Sequence, residues 1–144
     1  MIFETGTVKL NSPFYVVRIE DSRVVRSVLG EGTTTVIKGT RQIGKSSLLA
    51  RAIASAKQAT LKTFYLDFQA FENAQLKDLS CLFKSLASLI ANEFRIAWDP
   101  ERFSGLGGGK VAVSEFLKQV VFAQVEGRVV FFFDEVDRVF KDAK

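Results

Sequence analysis

Residues 39–46 read GTRQIGKS and place two glycines, a lysine and a hydroxyl in the spacing G-x-x-x-x-G-K-[ST]. Glycines let the backbone turn where a side chain would obstruct it, so successive N–H groups can surround a phosphate. Lys45 would reach the β- and γ-phosphates of a nucleotide, and the Ser46 hydroxyl would bind a bridging Mg²⁺. The alternative is a glycine turn whose lysine and serine are merely solvated.

Two cations, Arg41 and Lys45, stand where a helix would begin, although the helix dipole disfavours positive charge at that end. A bound anion explains their position, and the helix start would add its own partial positive charge. The stretch therefore predicts a phosphate-binding loop. The predicted nucleotide contacts in it are Gly39, Thr40, Arg41, Gln42, Ile43, Gly44, Lys45, Ser46 and Ser47.

A phosphate loop of this kind needs a strand before it and a helix after it. Residues 33–39, TTTVIKG, are rich in β-branched side chains and predict a buried strand. Beyond the loop we predict a helix that ends near Lys57. The apolar residues that share one face of this helix are Leu48, Leu49, Ala52, Ile53 and Ala56.

A second polar pair follows the apolar run Val129 to Phe133, which predicts a buried strand. The strand would deliver Asp134 and Glu135 to the sheet edge where open parallel sheets bind ligands. Asp134 would hold Mg²⁺, and Glu135 would orient and deprotonate the water that attacks the γ-phosphate. Alternatively, these acids mark only the place where a strand leaves the core.

The other segments alternate between helix and strand patterns. They are 22–29 (helix ending at Gly30), 62–68 (strand), 76–94 (helix), 98–110 (loop) and 113–125 (helix). We predict one α/β domain over residues 1–144, with a lead-in segment at 11–30 and a nucleotide-binding core at 33–144. Its parallel sheet would carry helices on both faces.

Composition excludes several other classes of protein. Cys81 is the only cysteine among 144 residues and there is no histidine, which rules out an internal disulfide and His-based zinc or catalytic sites. The longest apolar run is too short to cross a bilayer, so we expect a cytoplasmic protein without a membrane partner. The basic residues behind the net charge of +4 are scattered, which favours a solvated surface over a nucleic-acid partner.

Four stretches carry a family likeness: SPFYVVRIEDSR, IKGTRQIGKSSLLARAIASAKQ, TFYLDFQ and FFFDEVDRVF. Together they resemble the AAA-like domain of bacterial P-loop ATPases, which is related to the STAND group of signalling ATPases. The resemblance spans about residues 12–140 and implies an ASCE-type P-loop fold with Walker A and Walker B motifs. It implies ATP and Mg²⁺ as ligands, and the chain contains no N-K-x-D guanine signature.

The resemblance also implies that the lead-in around Phe14 to Arg18 lies near the adenine and ribose, which makes Arg18 a predicted nucleotide contact. Packing of Phe14 and Tyr15 on the sheet, with a solvated Arg18, is the alternative. Asp67 and Gln69 follow the second strand and would face the edge that carries Asp134. Arg138, just beyond the acids, would either contact a neighbouring domain or subunit or be solvated.

ATPases of this branch place a further strand between the phosphate-loop strand and the acidic strand, and that strand comes later in the chain. It brings a sensor of the γ-phosphate, and later segments or another subunit bring an arginine. We therefore expect the domain to be truncated after the acidic motif and to act with additional domains or subunits. The expected function is ATP hydrolysis that drives a conformational switch. The alternatives are a non-catalytic ATP-binding scaffold and a nucleic-acid-handling ATPase.

Overall fold

The computed structural model describes residues 7–13, 15–39, 43–104 and 109–140. Its helices are α1 (Ile19–Leu29), α2 (Lys45–Gln58), α3 (Asn73–Lys77), α4 (Leu79–Phe94), α5 (Glu101–Ser104), α6 (Gly109–Phe116) and α7 (Phe122–Gln124). A π-helical turn, Leu117–Val121, joins α6 to α7. The strands are β1 (Lys62–Asp67) and β2 (Val129–Asp134), followed by 3₁₀ turns at Phe68–Ala70 and Val136–Phe140.

The two strands lie side by side and run parallel, in a register that pairs Lys62 with Val129 and Asp67 with Asp134. Side chains alternate between the faces of a strand, so paired residues of the two strands share a face. Asp67 and Asp134 therefore lie next to each other at the carboxyl end of the sheet, on the same face as Phe132.

Each face of the sheet carries its own apolar core. On one face, Phe64 and Leu66 of β1 pack with α4, α6 and the π-helical turn around the fully buried Phe116. On the other face, Phe132 packs with Leu48 and Ala52 of α2, and α1 covers that helix. Helices on both faces of a parallel sheet confirm the predicted α/β class.

The core beside α4 is mainly aromatic. The ring centroids of Trp98 and Phe116 are 5.0 Å apart and inclined at 65°, and Phe103 and Phe83 meet Phe116 edge-on. Edge-to-face contacts between aromatic rings are favourable beyond the area that they bury. These rings belong to the same apolar core as Phe64 and Leu66 of β1.

The predicted strand at 33–39 is wrong. Within the described chain the sheet contains β1 and β2, and residues 33–39 form no strand beside them. Val36 is 68% exposed, while Ile37 packs against the core around Leu48 and Phe132. A β-branched segment forms a strand only where a neighbour accepts its backbone hydrogen bonds. β1 and β2 pair with each other, and neither strand pairs with residues 33–39.

Other boundaries differ from the predictions for local reasons. The predicted helix at 76–94 is interrupted at Asp78, whose carboxylate accepts hydrogen bonds from the N–H groups of Ser80 (2.9 Å) and Cys81 (3.2 Å). This N-cap starts α4 afresh after α3. The predicted loop at 98–110 includes α5 and the start of α6, and its residues 105–108 lie outside the described chain.

Two helix predictions are confirmed. α2 ends at Gln58, one residue beyond the expected end, and α1 ends before Gly30. The Gly30 N–H donates to the carbonyls of Arg26 and Ser27, both at 3.1 Å, which closes the last turn of α1. Across the described residues, the structure holds no helix with the length and apolar character needed to cross a bilayer.

Candidate functional site

The start of α2 is set by the second glycine of the motif. Gly44 is the N-cap residue, with φ 86° and ψ 23°, a left-handed conformation that favours glycine. Its carbonyl accepts the first helical hydrogen bond, from the Leu48 N–H at 3.0 Å. The N–H groups of the first helical turn have no partner within a helix, so α2 presents donors at this end.

The first glycine of the motif, Gly39, lies close to the side chain of Ile43. A Cβ at this position would overlap the Cδ1 atom of Ile43, which is the far end of a flexible and exposed side chain. Gly44 thus lies where a left-handed turn favours glycine, whereas at Gly39 an added side chain would displace only the Ile43 side chain. Thr40, Arg41 and Gln42, predicted nucleotide contacts, lie outside the described residues.

The Lys45 side chain folds back across the loop. Its Nζ atom donates a hydrogen bond to the Gly39 carbonyl at 3.0 Å. A phosphate oxygen accepts a stronger, charge-assisted hydrogen bond from an ammonium group than a carbonyl does. The lysine is therefore positioned at the loop, where an incoming phosphate would compete for its amine.

The two serines that follow Lys45 have different surroundings. Ser46 lines a cavity between α2 and the sheet. Ser47 is 1% exposed, and its hydroxyl oxygen accepts a hydrogen bond from the Val8 N–H at 2.8 Å. The structure thus gives Ser46 access to the cavity and ties Ser47 to the segment that precedes α1.

The cavity has a volume of about 320 Å³. Its lining residues come from the start of α2, the carboxyl ends of both strands and the N-terminal segment: Thr7, Ser46, Leu49, Ala50, Ile53, Tyr65, Asp67 and Asp134. The fold thus brings Ser46 and Asp134 together, as the sequence predicts for a magnesium site. Asp67 joins them, which the sequence suggests only as a secondary possibility.

The donor set suits Mg²⁺, which prefers hard oxygen ligands and keeps several water molecules when it binds. Each aspartate accepts one hydrogen bond from nearby backbone: Asp134 from the Glu135 N–H at 2.9 Å and Asp67 from the Gln69 N–H at 2.8 Å. These bonds orient both carboxylates. Across the described residues, no group of three or more His, Cys, Asp and Glu side chains gathers for a metal. Phosphate oxygens and water would have to complete the coordination.

The pKa of Tyr65 reflects burial and the negative charge around this cavity. Its pKa is raised above the usual value of 10, chiefly by burial and then by the negative charges of Asp134 and Asp67. The phenol consequently keeps its proton at neutral pH and can donate a hydrogen bond. The same negative field would attract a divalent cation.

Glu135 occupies a strained turn directly after β2. Its φ is 53°, in the left-handed region that non-glycine residues seldom occupy. The side chain is half-buried, and Glu135 is not among the residues that line the cavity. Backbone strain of this kind clusters at functional sites, which makes the turn a candidate for function.

Arg138 connects the two turns that follow the strands. Its Nη1 atom donates to the carbonyls of Gln69 (3.0 Å) and Phe68 (3.4 Å), and Nη2 donates to the Asn73 side-chain oxygen at 2.9 Å. The guanidinium is therefore bonded within its own chain. Sequence could not reveal this contact, because it joins residues about 70 positions apart.

Arg138→Ala is expected to lower the free energy of unfolding by about 1–2 kcal/mol, because it removes several charge-assisted hydrogen bonds at once. Urea denaturation measures this change. Arg23→Ala removes an exposed arginine of α1 and should change stability by less than about 0.5 kcal/mol. Equal effects of the two substitutions would show that the bridge between the turns is unimportant.

Arg18, the predicted nucleotide contact of the lead-in, lies against the phosphate loop. Its Nη1 atom donates to the Ile43 carbonyl at 2.8 Å, and its Nε atom is 3.6 Å from the Asp21 carboxylate. Tyr15 also anchors the lead-in, since the Arg51 guanidinium of α2 lies 3.2 Å from the centre of its ring. Phe14 lies outside the described residues.

Comparison with known proteins adds one positive finding. The family model of the AAA-like domain matches residues 3–144, which is almost the whole chain. No curated protein and no solved structure matches this chain. The match includes the glycine-rich loop at the start of α2, both strands and the acidic end of β2. The chain therefore belongs to the AAA-like domain family.

Proposed function

We propose that this chain is an ATPase module that binds Mg-ATP through the loop at 39–47. One observation carries the proposal: Ser46, at the start of α2, and Asp134, at the end of β2, line the same cavity. Two elements far apart in sequence thus supply the hydroxyl and the carboxylate that a bridging Mg²⁺ requires. Membership of the AAA-like domain family supports ATP as the nucleotide.

In this proposal the backbone amides, Lys45 and Ser46 have separate tasks. The amide groups at the start of α2 hold the phosphates, and Lys45 leaves the Gly39 carbonyl to neutralise the terminal phosphates. Ser46 and Asp134 hold the Mg²⁺, with Asp67 beside them. The Mg²⁺, when bound, withdraws charge from the phosphate oxygens.

Hydrolysis adds a role for Glu135, whose carboxylate would orient and deprotonate the attacking water. Glu135 follows Asp134 directly, so a rearrangement at the metal would reach it through a single peptide unit. Arg138 links the same turn to the turn after β1. This rearrangement of the turns would change the conformation of additional domains or partner subunits that contact them.

A second candidate function is a scaffold that binds ATP without cleaving it. It is favoured by the position of Glu135, which does not line the cavity shared by Ser46 and Asp134. In a scaffold the nucleotide would order the loop and α2, and Glu135 would serve only the turn. Binding would then be identical in both functions, and turnover alone would separate them.

A titration with ATP at several Mg²⁺ concentrations tests the proposal. Asp134→Asn should raise the Mg²⁺ concentration that supports ATP binding by about tenfold, because a neutral amide is a poorer ligand for Mg²⁺ than a carboxylate. Binding in the presence of EDTA should be unchanged. Glu126→Gln, which neutralises an exposed carboxylate elsewhere, is the control. An unaltered Mg²⁺ requirement in Asp134→Asn would contradict the proposed metal site.

A further inference from the structure

The contact between Arg18 and the phosphate loop fixes the direction of one peptide group. Arg18 Nη1 lies 2.8 Å from the carbonyl oxygen of Ile43, the residue before Gly44. The described residues contain no cis peptide bond, and the C=O and N–H of a trans peptide point in opposite directions. Because the Ile43 carbonyl faces Arg18, the Gly44 N–H points away from Arg18.

The same contact strengthens the Gly44 N–H as a donor. A positive guanidinium on the carbonyl oxygen polarises the peptide, and hydrogen bonds that share a peptide reinforce each other. A Cβ at Gly44 would lie 3.6 Å from Arg18 Nη2, an ordinary van der Waals contact, so it is the backbone conformation of Gly44 that favours glycine here. Its φ of 86° is the turn that starts α2 at Lys45.

Neighbouring side chains hold Arg18 in place. Asp21 is 7% exposed, and its carboxylate lies 3.6 Å from Arg18 Nε. The Tyr15 hydroxyl donates to the same carboxylate at 2.7 Å, and burial raises the pKa of Tyr15 so that this proton is retained. The Arg51 guanidinium over the Tyr15 ring ties this group to α2. The guanidinium therefore has a fixed position before any ligand arrives.

We propose that Arg18 is a positioning residue that sets the Ile43–Gly44 peptide so that the Gly44 N–H is directed at a bound phosphate. This inference rests on the proposed function, and it assigns Arg18 to the phosphate chain of the ligand. It differs from the expectation that Arg18 contacts the adenine or ribose. A ligand that has the phosphates but lacks the nucleoside distinguishes the two roles.

The test compares Mg-ATP with Mg-tripolyphosphate, which has three phosphates and no base or sugar, by calorimetric titration. Arg18→Ala should weaken both ligands by the same factor, about tenfold, because both lose one oriented amide donor. Arg18→Lys keeps a donor and the charge, and should recover part of the loss for both ligands. Arg23→Ala, an exposed arginine of α1, is the matched control. If Arg18→Ala does not fold, the two ligands are compared in Arg18→Lys, where a smaller loss that is equal for both ligands is expected.

The comparison separates a role of Arg18 toward the phosphates from a role toward the nucleoside. An equal loss for ATP and tripolyphosphate supports the positioning role. A loss for ATP with unchanged tripolyphosphate binding overturns it and assigns Arg18 to the nucleoside. Unchanged binding of both ligands in Arg18→Ala also overturns it. If the unaltered protein binds neither ligand, the proposed function fails, which is a different result from the failure of Arg18 alone.

Discussion

Lys45→Ala is expected to weaken ATP binding by about 10²–10⁴-fold. The ammonium group would make charge-assisted hydrogen bonds to two phosphates, each contributing about 1.5–3 kcal/mol, and alanine removes them all. Titration with a fluorescent ATP analogue measures the dissociation constant. The substitution should leave the fold intact, because the Lys45 amine donates to the exposed carbonyl of Gly39 in the loop.

Lys57→Ala is the matched control for this experiment. Lys57 is an exposed lysine in the last turn of the same helix, so its loss changes the net charge equally. We expect its effect on ATP affinity to be less than about twofold, since exposed charges at this distance are screened by salt. Equal affinity in Lys45→Ala and the unaltered protein would contradict the proposed role of the loop.

Glu135→Gln is expected to lower the rate of phosphate release by about 10²–10⁴-fold, the usual contribution of a general base. Glutamine preserves the size of the side chain and tolerates the φ of 53° as poorly as glutamate does, so the substitution isolates the carboxylate. ATP binding should be retained, because Glu135 does not line the cavity. A continuous phosphate assay with Mg-ATP gives the rate.

The scaffold predicts a different result for the same variant. If the chain binds ATP without cleaving it, Glu135→Gln and the unaltered protein should release phosphate at the same background rate. Glu93→Gln, an exposed carboxylate on α4, controls for the change in charge. A rate that falls equally in Glu93→Gln and Glu135→Gln would contradict the role of Glu135 as the base.

Sequence predicted the parts of the fold that depend on local pattern. The apolar run before Asp134 forms β2, and the face that contains Leu48 and Ala52 forms the buried side of α2. Such elements are specified by the period of their own apolar residues. Residues 33–39 have an equally strong strand composition and form no strand, because strand formation depends on a neighbour.

The candidate site was predictable where one stretch of sequence supplies the residues. The conformation of Gly44 and the access of Ser46 to the cavity agree with the motif, whereas the strand expected before Gly39 does not form in the described chain. The contribution of Asp67 depends on its pairing with Asp134 in the sheet, and a register between distant strands is not encoded locally. The bond from Arg18 to the Ile43 carbonyl likewise joins residues 25 positions apart.

The most direct test of the central claim is to follow the backbone amide signals of the protein by NMR during titration with Mg-ATP. We predict saturable shifts of the amides of Gly44, Lys45 and Ser46, because these groups would donate hydrogen bonds to the phosphates. A second cavity lies at the opposite end of the strands, lined by Lys62, Glu93 and Arg95 among others. Shifts confined to that cavity, or no saturable shifts at all, would contradict binding at the phosphate loop.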